Sequence, residues 1–179
     1  TYFSLSKIIW LIEHVKAIKN ALLNDDISFG TIDSWLLYKL TGNHLTDITN
    51  ASRTLMFDLY TSDWNDKILN HFNIPRSALP TIKPSLSVFA KTTHLFNDVP
   101  ITAVLGDQQA SLFGHKGFSK GKIKNTYGTG CFLLCNTGEE IIHSSNGLLT
   151  TVAYQIENEN TVYALEGSVA IAGASIQWL

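Results

Sequence analysis

The sequence has few cysteines and prolines, and its charge is nearly balanced. Among its 179 residues there are two cysteines and four prolines, with 13 Lys and Arg against 15 Asp and Glu. A net charge of -2 gives no support for a nucleic acid or an anionic membrane as partner, because both bind basic surfaces. No apolar run is long enough to cross a bilayer, and we expect no signal peptide.

The two cysteines, Cys131 and Cys135, lie four residues apart in a predicted strand. Both would point to the same face, with Cα atoms too far apart for a disulfide. There is no CxxC pair and no cluster of histidines, so the sequence does not predict a zinc site. We expect two reduced, mostly buried thiols and a cytoplasmic location.

Helical periodicity dominates the first half of the chain. It predicts helices at Ser4–Lys19, Thr31–Leu40 and Ser62–Phe72. Ser4 or Ser6 would cap the first helix, and Gly42 would end the second. The spacing also predicts that the tryptophans at 10, 35 and 64 are core residues, and that residues 55–57 form a short strand.

Strand signals dominate the second half. The apolar run 101–105 predicts a buried strand, and residues 107–113 predict the helix that follows it. The Gly- and Lys-rich stretch 114–121 is the candidate domain boundary. After it, residues 122–136 predict a hairpin around Gly128-Thr129-Gly130, residues 148–165 predict a second strand pair, and a helix begins at about 168. The whole pattern indicates an α/β protein.

A carboxylate follows the predicted strand 101–105, in the run Leu105-Gly106-Asp107-Gln108-Gln109. Polar residues at the carboxyl ends of strands in α/β sheets commonly face a ligand crevice. Asp107 could therefore accept the proton of a substrate hydroxyl, and Gln108 could orient that hydroxyl. The alternative, which local spacing alone favours, is that Asp107 caps a helix.

Two further runs contain small residues that could approach a ligand. The turn in Asn125–Gly130 could offer backbone N–H groups and a hydroxyl to phosphate oxygens, although it lacks the GK[ST] ending of a Walker loop. A hairpin that simply needs glycine is the alternative. Residues 164–168 and 172–177 would let a flat ligand or a second helix come close, and helix packing is the usual explanation.

Taken together and in order, these segments resemble the FGGY carbohydrate kinases. Tyr2-Phe3-Ser4 with Lys7 and Trp10 is similar to a signature of that family. Further runs resemble its glycerol kinases, at 29–36, 49–54, 106–110, 124–132, 147–151 and 173–179. The resemblance extends from Tyr2 to Leu179.

The resemblance implies a partial α/β, actin/Hsp70/hexokinase-like fold with ribonuclease-H-like lobes. Residues 1–116 would form the C-terminal part of the first lobe, and residues 117–179 the N-terminal part of the second. The implied reaction is ATP-dependent phosphorylation of glycerol to glycerol 3-phosphate, with Mg²⁺ bridging the phosphates. Family members form dimers and tetramers, so a homo-oligomer is expected.

The same resemblance assigns roles to single residues. Asp107 would be the general base, Tyr2 and Gln108 would hydrogen-bond glycerol, and Phe132 would pack against its carbons. Thr129 would contact the nucleotide phosphates, and Gly173 and Gln177 the nucleotide. Phosphoryl transfer depends mostly on positioning and charge stabilisation, which agrees with a site that has one carboxylate.

The loop between Lys91 and Pro100 differs from that of some family members, which bind fructose 1,6-bisphosphate through a longer Gly- and Arg-rich loop. Residues 92–99 contain neither Gly nor Arg, so sugar-bisphosphate inhibition is not predicted. The stretch resembles, one residue shorter, a loop of Gram-positive relatives in which the sugar phosphotransferase system phosphorylates a histidine. His94 is therefore a candidate regulatory site for a phosphotransferase-system protein, and a solvated loop histidine is the alternative.

Several parts of the family's machinery have no counterpart in this sequence. They are the N-terminal phosphate-binding hairpin, the Arg-Glu pair that holds glycerol and the C-terminal adenine-binding part. We therefore expect an internal fragment that is inactive alone. Two other hypotheses are a kinase of another polyol or sugar, against which runs 49–54 and 125–132 argue, and a non-catalytic remnant or actin-like binding module, against which the Asp107-Gln108 pair argues.

Overall fold

The computed structural model describes residues 3–93 and 98–179, which form two compact units, Thr1–Val104 and Leu105–Leu179. The predicted lobe boundary at 116/117 stays a prediction, because a compact unit of this chain need not equal a lobe of the complete fold. Tyr2 and His94, two of the predicted site residues, lie outside the described residues.

The described part of the first unit contains short helices and three two-stranded sheets. Its helices are α1 (Ser4–His14), α2 (Lys16–Leu23), α3 (Ile32–Thr41), α4 (Ile48–Ala51), α5 (Asp66–His71) and a 3₁₀ turn at Arg76–Ala78. Its strands are β1 (Leu45–Asp47), β2 (Phe57–Asp58), β3 (Asp63–Trp64), β4 (Thr81–Lys83), β5 (Leu86–Lys91) and β6 (Pro100–Ala103). β1 pairs with β4 in parallel, whereas the β2–β3 and β5–β6 pairs are antiparallel.

The single helix predicted over residues 4–19 is wrong, because the chain turns into an extended conformation at Val15 (φ -110°, ψ 98°) between α1 and α2. The predicted caps are also wrong. Phe3 occupies the N-cap position of α1, and the Ser6 hydroxyl donates to the Phe3 carbonyl over 3.2 Å. Apolar periodicity continues through residue 15, which is why it does not reveal this break.

The second predicted helix is confirmed and the third is too long. α3 ends at Gly42, whose φ of 75° is a left-handed conformation that glycine adopts without steric cost. α5 begins only at Asp66, because the side chain of Asn65 caps it by accepting the N–H groups of Lys67 and Ile68. The strand predicted at 55–57 begins at Phe57, since Leu55 has a φ of 64°.

One of the three tryptophans predicted as core residues is buried. Trp64 is only 6% exposed and donates its indole N–H to the Pro80 carbonyl. Trp10 and Trp35 are 55% and 59% exposed, so the prediction is wrong for them. The buried residues of α3 are 34, 37 and 41, which leaves Trp35 on another side of the helix. The core of this unit contains Leu5, Ile8, Phe29, Ala51, Met56, Trp64, Leu69, Ile74, Ala78 and Leu79.

A fully buried carboxylate, Asp47, joins three segments of the first unit. It caps α4 by accepting the N–H groups of Thr49 and Asn50, each over 2.9 Å. It also accepts the hydroxyl of Ser85 over 2.8 Å, from the segment that joins β4 to β5. These bonds fix the end of β1 relative to α4 and to the β4–β5 connection.

The strand predicted at 101–105 exists as β6, but it is not buried. Pro100, Thr102 and Ala103 are exposed, and the strand pairs with β5 in a two-stranded antiparallel sheet. The prediction of a buried strand is therefore wrong at this position.

The second unit is a helix packed on a four-stranded antiparallel sheet, followed by a short helix. Its elements are α6 (Asp107–Gly114), β7 (Ile123–Tyr127), β8 (Cys131–Gly138), β9 (Leu149–Tyr154), β10 (Val162–Val169) and α7 (Gly173–Trp178). The strand order is β7-β8-β10-β9. This confirms α6 and both predicted strand pairs, whereas the last helix begins five residues later than predicted because β10 continues to Val169.

Cys131 and Cys135 are free thiols on β8, and both are half-buried rather than mostly buried. Among residues 3–93 and 98–179, no helix is both long enough and apolar enough to cross a membrane.

Candidate functional site

The first turn of α6 presents Asp107 to solvent. Gly106 occupies the N-cap position in an extended conformation (φ -60°, ψ 151°), so Asp107 is the first helical residue rather than the cap. The Asp107 side chain is exposed, and its Oδ1 accepts the backbone N–H of Gln108 over 2.8 Å. A carboxylate that is open to solvent can meet a ligand hydroxyl directly, so Asp107 is a candidate proton acceptor at this surface.

Gln108 connects this carboxylate to the sheet below. Its Nε2 donates to Asp107 Oδ2 over 3.2 Å. Its Oε1 accepts a short hydrogen bond from Nζ of Lys124, on β7. The three side chains therefore form a chain of contacts from a lysine in the sheet to the exposed carboxylate.

Lys124 is 6% exposed, which is rare for a lysine. Burial lowers its pKa below the usual value of 10.5, and the nearby carboxylates of Asp107 and Glu166 oppose that effect. Glu166, on β10, is 3% exposed. A cation and two carboxylates thus lie close together where α6 packs on the sheet.

The strand register puts Phe132 on the same face of the sheet as these charges. Lys124 and Glu166 both pair with Leu134 of β8, so the three side chains share one face. Phe132 is two residues from Leu134 and therefore points to that face as well. Phe132 is half-buried and lies two residues closer than Leu134 to the glycine turn at 128–130.

The glycine turn at 128–130 is closed by the residues that follow β10. The N–H of Gly173 donates to the Gly128 carbonyl over 3.0 Å, and the N–H of Ala172 donates to the Thr129 carbonyl over 2.7 Å. A Cβ at Gly130 would lie 2.6 Å from the Val169 carbonyl oxygen. This approach needs glycine, and it leaves Thr129 exposed at the tip.

Gln177 lies four residues after Gly173 in α7 and is exposed. Residues four apart lie on the same face of a helix. Gly173 and Gln177 thus share one face of α7, and the start of this helix is hydrogen-bonded to the turn that contains Thr129.

The first 114 residues match the model of the N-terminal domain of the FGGY family of carbohydrate kinases. This chain belongs to the FGGY family. Its partial α/β fold, of the actin/Hsp70/hexokinase type, is therefore confirmed.

Curated FGGY relatives match the chain over its whole length. It is 52% identical to the glycerol kinase of Renibacterium salmoninarum, in a match that covers 100% of this chain and 37% of that protein. It is 51% identical to the glycerol kinase of Bacillus licheniformis over 99% of this chain and 37% of that protein. The chain thus spans a little over a third of the length of these relatives.

Solved structures of FGGY kinases have the same fold. The crystal structure of Plasmodium falciparum glycerol kinase with ADP superimposes with a TM-score of 0.95 at 43% identity, covering 99% of this chain and 37% of that one. The xylulose kinase of Rhodospirillum rubrum superimposes with a TM-score of 0.82 at 20% identity over 98% of this chain and 36% of that one, a likeness in fold alone.

Within this FGGY kinase segment, the second unit contains every predicted site residue that the structure describes. Asp107 touches Gln108, Phe132 shares the sheet face of Lys124, and the segment containing Gly173 is bonded to the turn that contains Thr129. Sequence reasoning gave no role to Lys124 or Glu166. The sequence signal that could have found them is a charged residue inside a strand. Lys124 lies in the run Ile123–Tyr127 and Glu166 in the run Val162–Val169, each at a position that the strand turns towards the buried face of the sheet.

Proposed function

We propose that this chain is part of an ATP-dependent glycerol kinase and that it contributes the general base and part of the surface for glycerol and nucleotide. The observation that supports this most directly is the 50–52% identity to curated glycerol kinases along the whole chain. The exposed carboxylate of Asp107, held beside Gln108, supplies the chemistry that such a reaction needs.

In the proposed reaction, a terminal hydroxyl of glycerol lies at Asp107. The hydroxyl oxygen forms a bond to the γ-phosphorus of ATP, and the bond from that phosphorus to the β,γ-bridging oxygen breaks. The hydroxyl proton passes to the Asp107 carboxylate, and glycerol 3-phosphate and ADP are the products. Gln108 orients the hydroxyl, and Phe132 packs against the carbon skeleton. Little covalent chemistry is required of the protein, so positioning accounts for most of the effect.

The nucleotide surface of the proposal is the turn 128–130 with Gly173 and Gln177. A Cβ at Gly173 would lie 2.3 Å from the Gly128 carbonyl oxygen, so this close approach requires glycine at position 173. The exposed hydroxyl of Thr129 suits phosphate oxygens. Mg²⁺, when bound, neutralises charge on the transferred phosphate. It commonly uses substrate phosphates and water rather than a protein cage, and such an ion is compatible with these residues.

Identity favours glycerol over the sugars of sister kinases. The structural match to a glycerol kinase is at 43% identity, whereas the matches to xylulose and gluconate kinases are at 13–21%. We extend the proposal to a cytoplasmic location, which the two free thiols favour. An assembly of identical subunits and phosphorylation of His94 by a phosphotransferase-system protein stay predictions.

The test measures ADP release, with a coupled enzyme assay, from the full product of the reading frame that contains this sequence. Glycerol, xylulose and gluconate are offered as acceptors with Mg²⁺ and ATP. We expect turnover with glycerol, and kcat/KM at least about 100-fold lower for the two larger acceptors, which lack the fit on which positioning depends.

Preferential turnover of xylulose or gluconate would show that the protein is a kinase but that glycerol is not its substrate. Absence of turnover with every acceptor, together with no binding of glycerol or ADP by titration calorimetry, would refute the proposed kinase activity. The non-catalytic binding module would then be the remaining hypothesis.

A further inference from the structure

We propose that Lys124 is a positioning residue that fixes the orientation of the Gln108 side-chain amide, with its nitrogen towards Asp107 and the substrate hydroxyl. The geometry comes from contacts within the second unit, and the consequence for the substrate rests on the proposed function.

Hydrogen-bond chemistry determines the orientation of the amide. A lysine ammonium only donates, and an ionised carboxylate only accepts. Gln108 lies between the two. Its Oε1 accepts from Lys124 and its Nε2 donates to Asp107, which is the only orientation that satisfies both partners. The opposite orientation would set an NH₂ group against the ammonium and an oxygen against the carboxylate.

The fixed amide determines how a hydroxyl can bind. One N–H of Nε2 is used by Asp107 Oδ2, and the amide has a second N–H that can donate to a substrate oxygen. A hydroxyl that accepts from Gln108 cannot give its own proton to the same nitrogen. Its proton therefore has the Asp107 carboxylate as acceptor, which is the direction of transfer that the reaction requires.

Lys124 is itself held firmly. It is the second residue of β7, it pairs with Leu134 of β8, and it is only 6% exposed. Glu166 shares its sheet face two strands away and is 3% exposed. A flexible lysine stem would not orient an amide, whereas one packed between sheet and helix has lost most of its rotamers already.

A purely structural role is the competing explanation, in which Lys124 only balances buried carboxylates. The two explanations differ in whether the effect of Lys124 on catalysis passes through Gln108. If it does, removing Gln108 first should abolish most of the further effect of removing Lys124.

The test is a double-mutant cycle in the full product of the reading frame, with Lys124→Met, Gln108→Ala and both together. We expect Lys124→Met to lower kcat/KM for glycerol about 10- to 100-fold, as misplacement of a substrate-orienting group does. In the Gln108→Ala background the same change should alter kcat/KM by less than about two-fold. KM for ATP should stay within about two-fold throughout, because Thr129 and Gly173 are unchanged.

The matched control is Lys122→Met, at an exposed lysine just before the same strand. It should leave kcat/KM unaltered. Equal losses from Lys124→Met with and without Gln108 would overturn the inference while leaving the proposed function in place.

If Lys124→Met does not fold, Lys124→Arg and Lys124→Gln make the same comparison. Arginine only donates, so it keeps the amide orientation, whereas glutamine can present an oxygen or a nitrogen. We expect the larger loss of kcat/KM from Lys124→Gln, and equal losses would overturn the inference.

A second measurement does not depend on activity. In ¹⁵N NMR spectra of the 179-residue chain, the Gln108 side-chain NH₂ signals are assigned by their loss in Gln108→Ala. They should shift in Lys124→Met and stay in place in Lys122→Met. Unmoved signals in both variants would refute the contact, whether or not the full-length protein phosphorylates glycerol.

Discussion

Gly173 donates its backbone N–H to the Gly128 carbonyl over 3.0 Å, and a Cβ at position 173 would lie 2.3 Å from that same oxygen. Gly173→Ala must therefore push the turn 128–130 away from α7. We expect a loss of about 1–3 kcal/mol in the free energy of unfolding, from overpacking against backbone. Because Thr129 moves with the turn, affinity for ADP should fall at least about ten-fold in titration calorimetry on the full-length protein.

Gly114→Ala is the matched control. This residue ends α6, and nothing lies within 4 Å of a Cβ placed there. Alanine should be neutral or stabilise by up to about 1 kcal/mol, because glycine loses more chain entropy on folding. Equal ADP affinities in Gly173→Ala and wild type would contradict a nucleotide surface at this turn.

Elements whose signals are local were predictable from sequence. Gly42 ends α3 because a single residue there adopts a left-handed conformation, and the turn at 128–130 separates two strands as its glycines indicate. The break at Val15 was not predictable, because the apolar spacing of α1 continues into α2. The third predicted helix was too long for the same reason, because a four-residue apolar spacing continues by chance from Trp64 in β3 into α5.

The site was predictable only in part, and for a physical reason. Asp107 and Gln108 are neighbours in sequence, so their proximity needs no fold. Lys124 and Glu166 lie 16 and 58 residues beyond Gln108, and only strand pairing through Leu134 brings them to one face. Burial of a charge depends on such non-local packing, which composition and spacing do not contain.

Asp107→Asn tests the proposed general base. Asparagine keeps the shape of the side chain and an oxygen for the Gln108 N–H, but it cannot take a proton at neutral pH. We expect kcat with glycerol to fall about 10²- to 10⁴-fold in the full-length protein. Affinity for ADP should change less than about two-fold, because the nucleotide surface is untouched.

Asp66→Asn provides the comparison, at the exposed first residue of α5, where Asp66 forms a surface ion pair with Arg76. It should leave kcat unaltered. A kcat for Asp107→Asn within about three-fold of wild type would remove Asp107 from the proton transfer.

Asp47→Ala tests the buried network of the first unit. It removes the acceptor for two backbone N–H groups and for the Ser85 hydroxyl, at a side chain that is fully buried. We expect the free energy of unfolding, from urea titration followed by tryptophan fluorescence, to fall by about 2–4 kcal/mol. Asp66→Ala, whose side chain is 70% exposed, should cost less than about 1 kcal/mol. Similar losses of unfolding free energy in the two variants would mean that the buried hydrogen bonds of Asp47 do not stabilise the fold.

The 179-residue chain on its own should release no ADP in response to glycerol. It spans 37% of the length of the glycerol kinases that it matches, and phosphoryl transfer requires several groups to be positioned at once. The measurement is the coupled assay at high enzyme concentration, with the full-length product as positive control. Glycerol-dependent turnover by the short chain, abolished by Asp107→Asn, would contradict this expectation.

The buried ammonium of Lys124 should make stability depend on pH. Burial lowers its pKa in the folded chain below 10.5, although Asp107 and Glu166 oppose the shift. Between the folded and unfolded pKa values the unfolded chain binds more protons, so stability rises with pH in that interval. Wild type should therefore gain stability relative to Lys124→Met as pH increases from 7 to 10.5, in urea titrations at fixed ionic strength. Burial also raises the pKa of Tyr154, which acts in the opposite direction, but that effect is common to both proteins and cancels in their difference. A difference that shrinks with rising pH would mean that the carboxylates outweigh burial at Lys124.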